Sequence, residues 1–524
     1  MNGRLRSTRV RRWHVALTPA VPLLGLLFWN LDSTSPDVVM WPLLLVTTVV
    51  FAGWIVLARI SREPNGTALL VTVLALVAMS HSMLVRATSH IAIPYVLLIV
   101  YGLAFLIAAV ALRVGARSPW LTTFLNQALT IAVLLLCGQI AVSEWRRPRI
   151  GGEGPALLSA VSTDRPDVYV LILDGYGRAD VLREFYGFEN DLIPELRSLG
   201  FFVADGALAN YPQTLQSLAS SLNLDYLPAL VEGYDTSRLT RRSLGDLIDR
   251  NRLFGGFAAA GYRIRFYRSE YEILSPTLAT EQPAPFGYMT GFHFSAYEGS
   301  GVPALFGAFG LPRGWVPLRA HRRQVLWTFD DLASATRDQD QAPSLVFAHI
   351  LVPHPPFAFN PDGTARRTSV PALLYDAEHW HEIADGTGER YERGYVDNVK
   401  FVNSRVIDTL RQIIASARRP TIFYIQGDHG PASRLKWAEP TDSAMLERMG
   451  ILLAMRFPDD FQPPIAGAVT PVNAFRVLAN RALGTALPPL PDRSYFANWT
   501  DTFDFRDVTE AVSKSKISTL RVAR

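Results

Sequence analysis

Five apolar runs fill the first 145 residues: about Trp13–Leu31, Val38–Ala58, Ala68–Val85, Ile91–Leu112 and Trp120–Val142. Each approaches the roughly 20 residues that a helix needs to cross a bilayer core. None contains Asp, Glu, Lys or Arg. Residues 146–165 are rich in Gly, Ser, Arg and Pro and read as a linker. From Pro166 the pattern changes. Val168–Leu173, Leu345–Leu351, Thr421–Gln426 and Ile451–Arg456 are short, β-rich runs, as expected of strands buried on both faces. Helix-like segments lie between them, Arg393–Ser416 among them. This alternation predicts an α/β/α sandwich around a mostly parallel sheet. The expected organisation is a five-helix transmembrane domain over 1–145, a linker over 146–165 and an exported α/β domain over 166–524.

Charge separates the same regions. Residues 1–150 hold 13 Arg, no Lys and 4 acidic residues, while the remainder has an acidic excess. The large C-terminal part therefore lacks the basic excess that tracks phosphates in nucleic acid, and a nucleic-acid partner is not expected. Arg4, Arg6, Arg9, Arg11 and Arg12 precede the first run, Arg59 and Arg62 follow the second, and Arg113 and Arg117 follow the fourth. The alternate loops carry Asp32 and Asp37, then Arg86. Positive-inside logic puts the N-terminus in the cytoplasm, and five crossings put everything after Trp145 outside. Arg146, Arg147 and Arg149 break that pattern; a large exported domain overrides local charge, and lipid phosphates offer these side chains partners. A cleaved signal peptide is the other reading of the first run, but four more runs follow directly and favour a retained anchor. The runs hold His81 but no paired carboxylates, which argues against an ion path. The single cysteine, Cys137, excludes an intramolecular disulfide and a Cys-based zinc site.

In open parallel sheets, function gathers at the carboxyl ends of strands. Three of the strands here run into chemistry-bearing residues: Leu173-Asp174-Gly175, His349 through Pro353-His354-Pro355, and Gly427-Asp428-His429-Gly430. A fourth element, Tyr211-Pro212-Gln213-Thr214, opens a helix. Singly, Asp174 and Thr214 also read as cap or turn residues, Asp428-His429-Gly430 as a tight turn, and His349 as a hydrogen-bonded core histidine. Taken in order, two carboxylates, one imidazole and one hydroxyl suit a divalent cation of the zinc or manganese type. Such a cation activates the Thr214 hydroxyl toward phosphorus, and a helix N-terminus favours a phosphoryl oxygen. His354 is then placed to hold a phosphate oxygen or protonate a leaving alcohol.

These motifs resemble the alkaline phosphatase/sulfatase superfamily. Within it they look like membrane-bound phosphoethanolamine transferases and phosphoglycerol transferases of the lipoteichoic acid synthase type. The resemblance covers roughly residues 166–480 and the five-run N-terminus. It implies an alkaline phosphatase-like fold and one metal, Mn or Zn, bound by Asp174, Thr214, Asp428 and His429. It further implies Thr214 as nucleophile and His354 as a substrate-binding residue. Glu447-Arg448 before Ile451–Arg456 resembles the family segment after the Asp-His signature. Some positions depart from the pattern: Asp174 stands where the transferases usually carry Glu, and Asn403 where relatives often carry Asp. Thr214 cannot become the formylglycine of sulfatases, and no His follows His429 to complete a two-metal set. Lys400, Arg434 and Lys436 are further candidates for phosphate contact, with surface charge as their default reading.

The resemblance implies transfer of a phosphoethanolamine or phosphoglycerol headgroup from a membrane phospholipid to a surface glycan or lipid, through a phospho-threonine. The enzyme would sit in a bacterial inner membrane with its catalytic domain outside. A membrane-anchored phosphate ester or diester hydrolase fits the same residues. A catalytically dead scaffold is the reading from another class, and the intact Asp, Thr, Asp and His set speaks against it.

Overall fold

The computed structural model describes residues 11–88, 102–103, 105–107, 109–110, 113, 119–151, 165–335, 342–367, 376–384, 391–465 and 469–514. Most of the fourth apolar run lies outside them, as do most of the linker and Arg4, Arg6, Arg9 and Arg117. Two compact units are present. The first comprises Met1–Arg147 with Phe292–Trp315, and the second comprises Pro148–Gly291 with Val316–Arg524. Sequence patterning assigned 292–315 to the exported domain; its packing groups it with the apolar runs instead.

The first unit contains α1 (His14–Leu17), α2 (Ala20–Trp29), α3 (Met40–Ser61), α4 (Pro64–Met79) and α5 (Pro119–Arg146). Among the described residues, two helices are long and apolar enough to cross a membrane, Pro36–Ser61 and Trp120–Arg146. His14–Trp29 and Pro64–Met79 are apolar but shorter. The most apolar window of Pro36–Ser61 is 0% buried, and Trp41, Leu44 and Val49 are exposed. A core helix of a soluble protein hides such side chains; a helix solvated by lipid does not need to.

The second unit runs β1 (Asp167–Leu173), α6 (Ala179–Tyr186), β2 (Phe202–Val203), α7 (Thr214–Leu222), α8 (Arg241–Asp249), α9 (Arg252–Ala259) and β3 (Arg263–Tyr267). It continues with α10 (Trp315–Ser334), β4 (Ser344–Ile350), α11 (Tyr391–Ser416), β5 (Thr421–Gln426), α12 (Asp442–Met449), β6 (Leu453–Arg456) and α13 (Pro471–Leu483). The sheet order is β2-β6-β5-β1-β4-β3. β1 pairs in parallel with both β4 and β5, and β3 with β4; β6 is antiparallel to β5 and β2. The four runs read as strands from the sequence all belong to this sheet, while β2 and β3 went unpredicted. β2 is too short to show periodicity, and β3 alternates with arginines.

Every residue of β1 is buried, and its side chains alternate between two apolar layers. Val168, Val170 and Ile172 join α7, α8, α9 and α13 on one face. Tyr169, Leu171 and Leu173 join α6, α10 and α11 on the other. Burying one such apolar side chain contributes about 1.5–3 kcal/mol, so the central strands hold their register firmly. That register places Ile172 opposite both His349 and Gln426. The loops after β1, β4 and β5 therefore leave the sheet side by side. β6 starts at the same edge because it runs backwards, which brings the residues just before it, Glu447 and Arg448, to that edge too.

Candidate active site

Asp174 follows β1 directly and is fully buried. The turn after it needs a glycine: Gly175 has φ +75°, and its amide donates to Asp428 Oδ1 at 3.0 Å. The amide of His354 donates to the Asp174 carbonyl at 3.0 Å, tying the β4 loop to the β1 loop. Ser217, in the first turns of α7, donates to the Asp428 carbonyl at 2.8 Å. Thr214 opens α7 after Gln213, whose extended backbone (φ −131°, ψ 140°) starts the helix.

These ties gather five sequence-predicted residues at one edge of the sheet: Asp174, Thr214, His354, Asp428 and His429. His429 Nε2 lies 3.6 Å from Asp174 Oδ1, 3.4 Å from Asp428 Oδ2 and 3.2 Å from Thr214 Oγ1. Its other ring nitrogen, Nδ1, is 3.0 Å from the Gly430 carbonyl. A carbonyl only accepts, so Nδ1 carries the proton and the Nε2 lone pair points at the two carboxylates. That is the tautomer a metal-ligating histidine requires. Asp174, Asp428 and His429 each present a ligand atom within 4.8 Å of the others. Among the described residues, neither Asp174 oxygen nor Asp428 Oδ2 makes a hydrogen bond of good geometry, though all three are buried and have only imidazoles close by. Leaving ionised oxygens unpaired costs several kcal/mol, so the donor set fits a divalent cation.

Residues that the sequence left without a role complete the surroundings. His349 is buried, as its core reading requires, yet it also faces the site. Its Nδ1 is 3.2 Å from Ser269 Oγ and its Nε2 3.2 Å from Asp174 Oδ2. Burial alone would raise the Asp174 carboxyl; the imidazoles of His354, His349 and His429 outweigh it and hold the group well below the usual carboxylate range. Arg448 is buried and fixed by three acceptors: the Pro212 carbonyl at 2.7 Å, Asp376 Oδ2 at 2.5 Å and the Gly430 carbonyl at 3.0 Å. Its Nη2 is 3.2 Å from His429 Nε2. Burial and the Arg448 charge together lower the His429 imidazole. The signal for Arg448 was its place just before the Ile451–Arg456 run; Asp376 had none, since no pattern surrounds it.

A cleft opens onto these groups, lined by Thr214, Arg241, Tyr271, His354, Arg448 and the rings of Trp437 and Trp499 among others. His354 Nδ1 donates to the Pro355 carbonyl at 2.6 Å, and its Nε2 lies 3.7 Å from Asp376 Oδ2. Burial pushes the Tyr271 hydroxyl up to about 12, so it remains a donor. Lys400, Arg434 and Lys436 are not among the lining residues. Lys400 lies over Phe188, Arg434 pairs with the buried Glu447, and Lys436 is exposed. Asn403 accepts from the Tyr176 hydroxyl at 2.5 Å and so braces the turn after Asp174.

Asp376 makes a pH prediction. Burial opposes its charge, but Arg448 and His354 hold its carboxyl down to about 2. A depressed carboxyl stabilises the fold above its unfolded value, and that contribution disappears as pH falls from about 4 toward 2. In the metal-free protein, Asp376→Asn is expected to cost on the order of 2 kcal/mol at pH 6 and roughly half that at pH 3. Thermal unfolding at the two pH values checks this; an equal loss at both would remove the ion pair as its cause.

No protein-family model matches the chain, and no curated protein matches it. Solved structures do. The C-terminal periplasmic domain of EcEptC from Escherichia coli is 13% identical, covering 69% of this chain and 96% of that one, with a TM-score of 0.40. The integral membrane lipooligosaccharide phosphoethanolamine transferase A from Neisseria meningitidis is 11% identical, covering 90% and 94%, with a TM-score of 0.39. The phosphonate monoester hydrolase of Agrobacterium radiobacter is 14% identical, covering 66% and 82%, with a TM-score of 0.41. Sulfatases are among the similar structures as well. These are enzymes of the broad group that the ordered motifs resemble.

Proposed function

We propose that the chain is a membrane-anchored, metal-dependent phosphotransferase of the alkaline phosphatase/sulfatase superfamily. Its reaction moves phosphoethanolamine or phosphoglycerol from a phospholipid to a surface glycan or lipid. One observation carries this reading: the Thr214 hydroxyl sits at a buried helix start, 3.2 Å from His429 Nε2, beside the buried Asp174 and Asp428 carboxylates, three of whose oxygens make no well-formed hydrogen bond among the described residues. Asp174, Asp428, His429 and Thr214 would hold a divalent cation, Zn or Mn, which when bound would supply the Lewis acidity that favours the alkoxide of Thr214 over its hydroxyl.

Thr214 Oγ1 loses its proton and bonds to phosphorus as the bond from phosphorus to the diacylglycerol oxygen breaks. The departing oxygen takes up a proton, and His354 faces the cleft with an imidazole suited to that transfer or to a phosphoryl oxygen. The amides at the start of α7 and the fixed Arg448 guanidinium suit the phosphoryl charge. An acceptor hydroxyl then bonds to phosphorus, losing its proton, and Thr214 leaves with its hydroxyl restored. An exported catalytic domain above a cytoplasmic N-terminus follows from the arginine pattern, and the apolar helices keep the enzyme where lipid donors lie.

The test uses the purified full chain, zinc or manganese, and phospholipids radiolabelled in the headgroup. Label on the protein together with released diacylglycerol is expected. Neither product with any lipid would overturn the lipid-donor reading, and turnover of soluble phosphate esters would then favour the hydrolase. Metal binding has its own readout. Zinc or manganese at about 100 times its dissociation constant is expected to stabilise the metal-free protein by roughly 2.7 kcal/mol. Asp174→Asn should abolish that gain, and a thermal shift that survives the substitution would put the cation elsewhere.

A further inference from the structure

Phe292–Trp315 is inserted in the catalytic unit's sequence but packs with the apolar helices. It contains two short helices, Gly291–Gly299 and Val302–Ala308. The Gly301 amide donates to the Ala78 carbonyl at 2.6 Å. Phe292 and Ala296 share one apolar cluster with Leu27, Leu31, Val39, Met79 and Ile140. Those residues lie near the end of the first run, the start of the second, the end of the third and the end of the fifth. The arginine pattern puts all four of those ends on the outer side, so the insertion meets the helices where an exported segment can reach them.

The rest of the insertion is largely exposed. Val302, Leu305, Phe309, Leu311 and Trp315 are exposed, Phe309 at 74%. Between Ser300 and Trp315 the only charged residue is Arg313, which is exposed. Five large apolar side chains within 14 residues make a poor water-facing surface. Continuity with lipid-facing helices, a tryptophan and a lone arginine match the interfacial zone of a bilayer, where rings sit at headgroup level and guanidinium meets phosphate.

We propose that Phe292–Trp315 lies in the outer membrane–water interface, with Leu305, Phe309, Leu311 and Trp315 immersed at the acyl boundary and Arg313 at the lipid phosphates. In-plane elements of this kind sink about 5–10 Å into that boundary. The proposal rests on the membrane-spanning reading of the apolar helices and is independent of the phosphoryl chemistry.

The experiment places the full chain in liposomes of phosphatidylcholine and phosphatidylglycerol with an environment-sensitive fluorophore on one cysteine. The native Cys137, exposed on α5, reports the span. In a Cys137→Ala background, Phe309→Cys and, separately, Leu305→Cys report the insertion. Glu232→Cys, on an exposed loop of the catalytic unit, reports water. Lipids carrying nitroxides at shallow or deep positions, and aqueous iodide on both sides, are the quenchers. Labels at 309 and 305 should shift to the blue, lose fluorescence chiefly to shallow nitroxides and resist iodide. The label at 137 should be quenched by deep nitroxides, and the label at 232 by iodide alone. Labels at 309 and 305 that behave like the one at 232 overturn the proposal. A water-like label at 137 overturns it too, by removing the span it rests on. None of these signals depends on turnover, so failure of the phosphotransferase reading shows separately in the headgroup-label assay.

Discussion

Thr214→Ala is expected to lower headgroup transfer by about 10³-fold or more, with no phospho-protein formed. The substitution is clean because the side chain has little structural work. Thr214 is the first residue of α7, where alanine is well tolerated. The only side-chain contact found for Oγ1 among the described residues is His429 Nε2. Unfolding temperature should therefore change little while chemistry stops. Thr214→Ser keeps the oxygen and should retain measurable transfer with label on the serine. Headgroup-label incorporation in the three proteins, read beside their thermal unfolding, decides the matter. An alanine protein within tenfold of wild type would mean that Thr214 is not the nucleophile.

Gly430→Ala is the second large effect, and it concerns the scaffold. A Cβ at this position would lie 2.2 Å from the Glu447 carbonyl oxygen and 2.8 Å from that of Gly450. Both are backbone atoms, held by the turn that carries α12 into β6, and cannot swing aside as a side chain would. The Gly430 amide also donates to the Arg448 carbonyl at 2.7 Å, and the Gly430 carbonyl accepts from His429 Nδ1 and Arg448 Nη1. Pushing the loop away thus disturbs the tautomer of His429 as well as the packing. A loss of about 3 kcal/mol in stability is expected, with weaker zinc or manganese binding. Thermal unfolding and metal titration test both parts. An unchanged unfolding temperature would show that the loop is not wedged between those carbonyls.

Most of this architecture could be read from the chain because burial on both faces leaves a plain mark. Val168–Leu173 and Thr421–Gln426 are continuous apolar runs with no second explanation. Asp174, Asp428 and His429 were legible because parallel strands deliver their loops to one edge, and Thr214 because Tyr211-Pro212-Gln213 announces a helix start. Asp376 was not, since it is drawn in by a partner far away in sequence, and Arg448 was marked only by its place before Ile451–Arg456, with no role attached. His349 shows a different limit: a histidine at a strand end looks alike in sequence whether it packs in the core or faces a carboxylate, and here it does both. The division of the chain was the least legible feature. Phe292–Trp315 has no long apolar run to announce it, and only contacts show which unit it joins.

The chain passes between its two units three times, at 147/148, 291/292 and 315/316. A protease that cuts the linker would leave the catalytic unit tethered through both ends of the insertion. Separating the two units completely would take three cuts. A soluble fragment beginning near residue 166 would still carry Leu305, Phe309 and Trp315 without the helices beside them, and would be expected to clump unless that segment were replaced by a short polar loop.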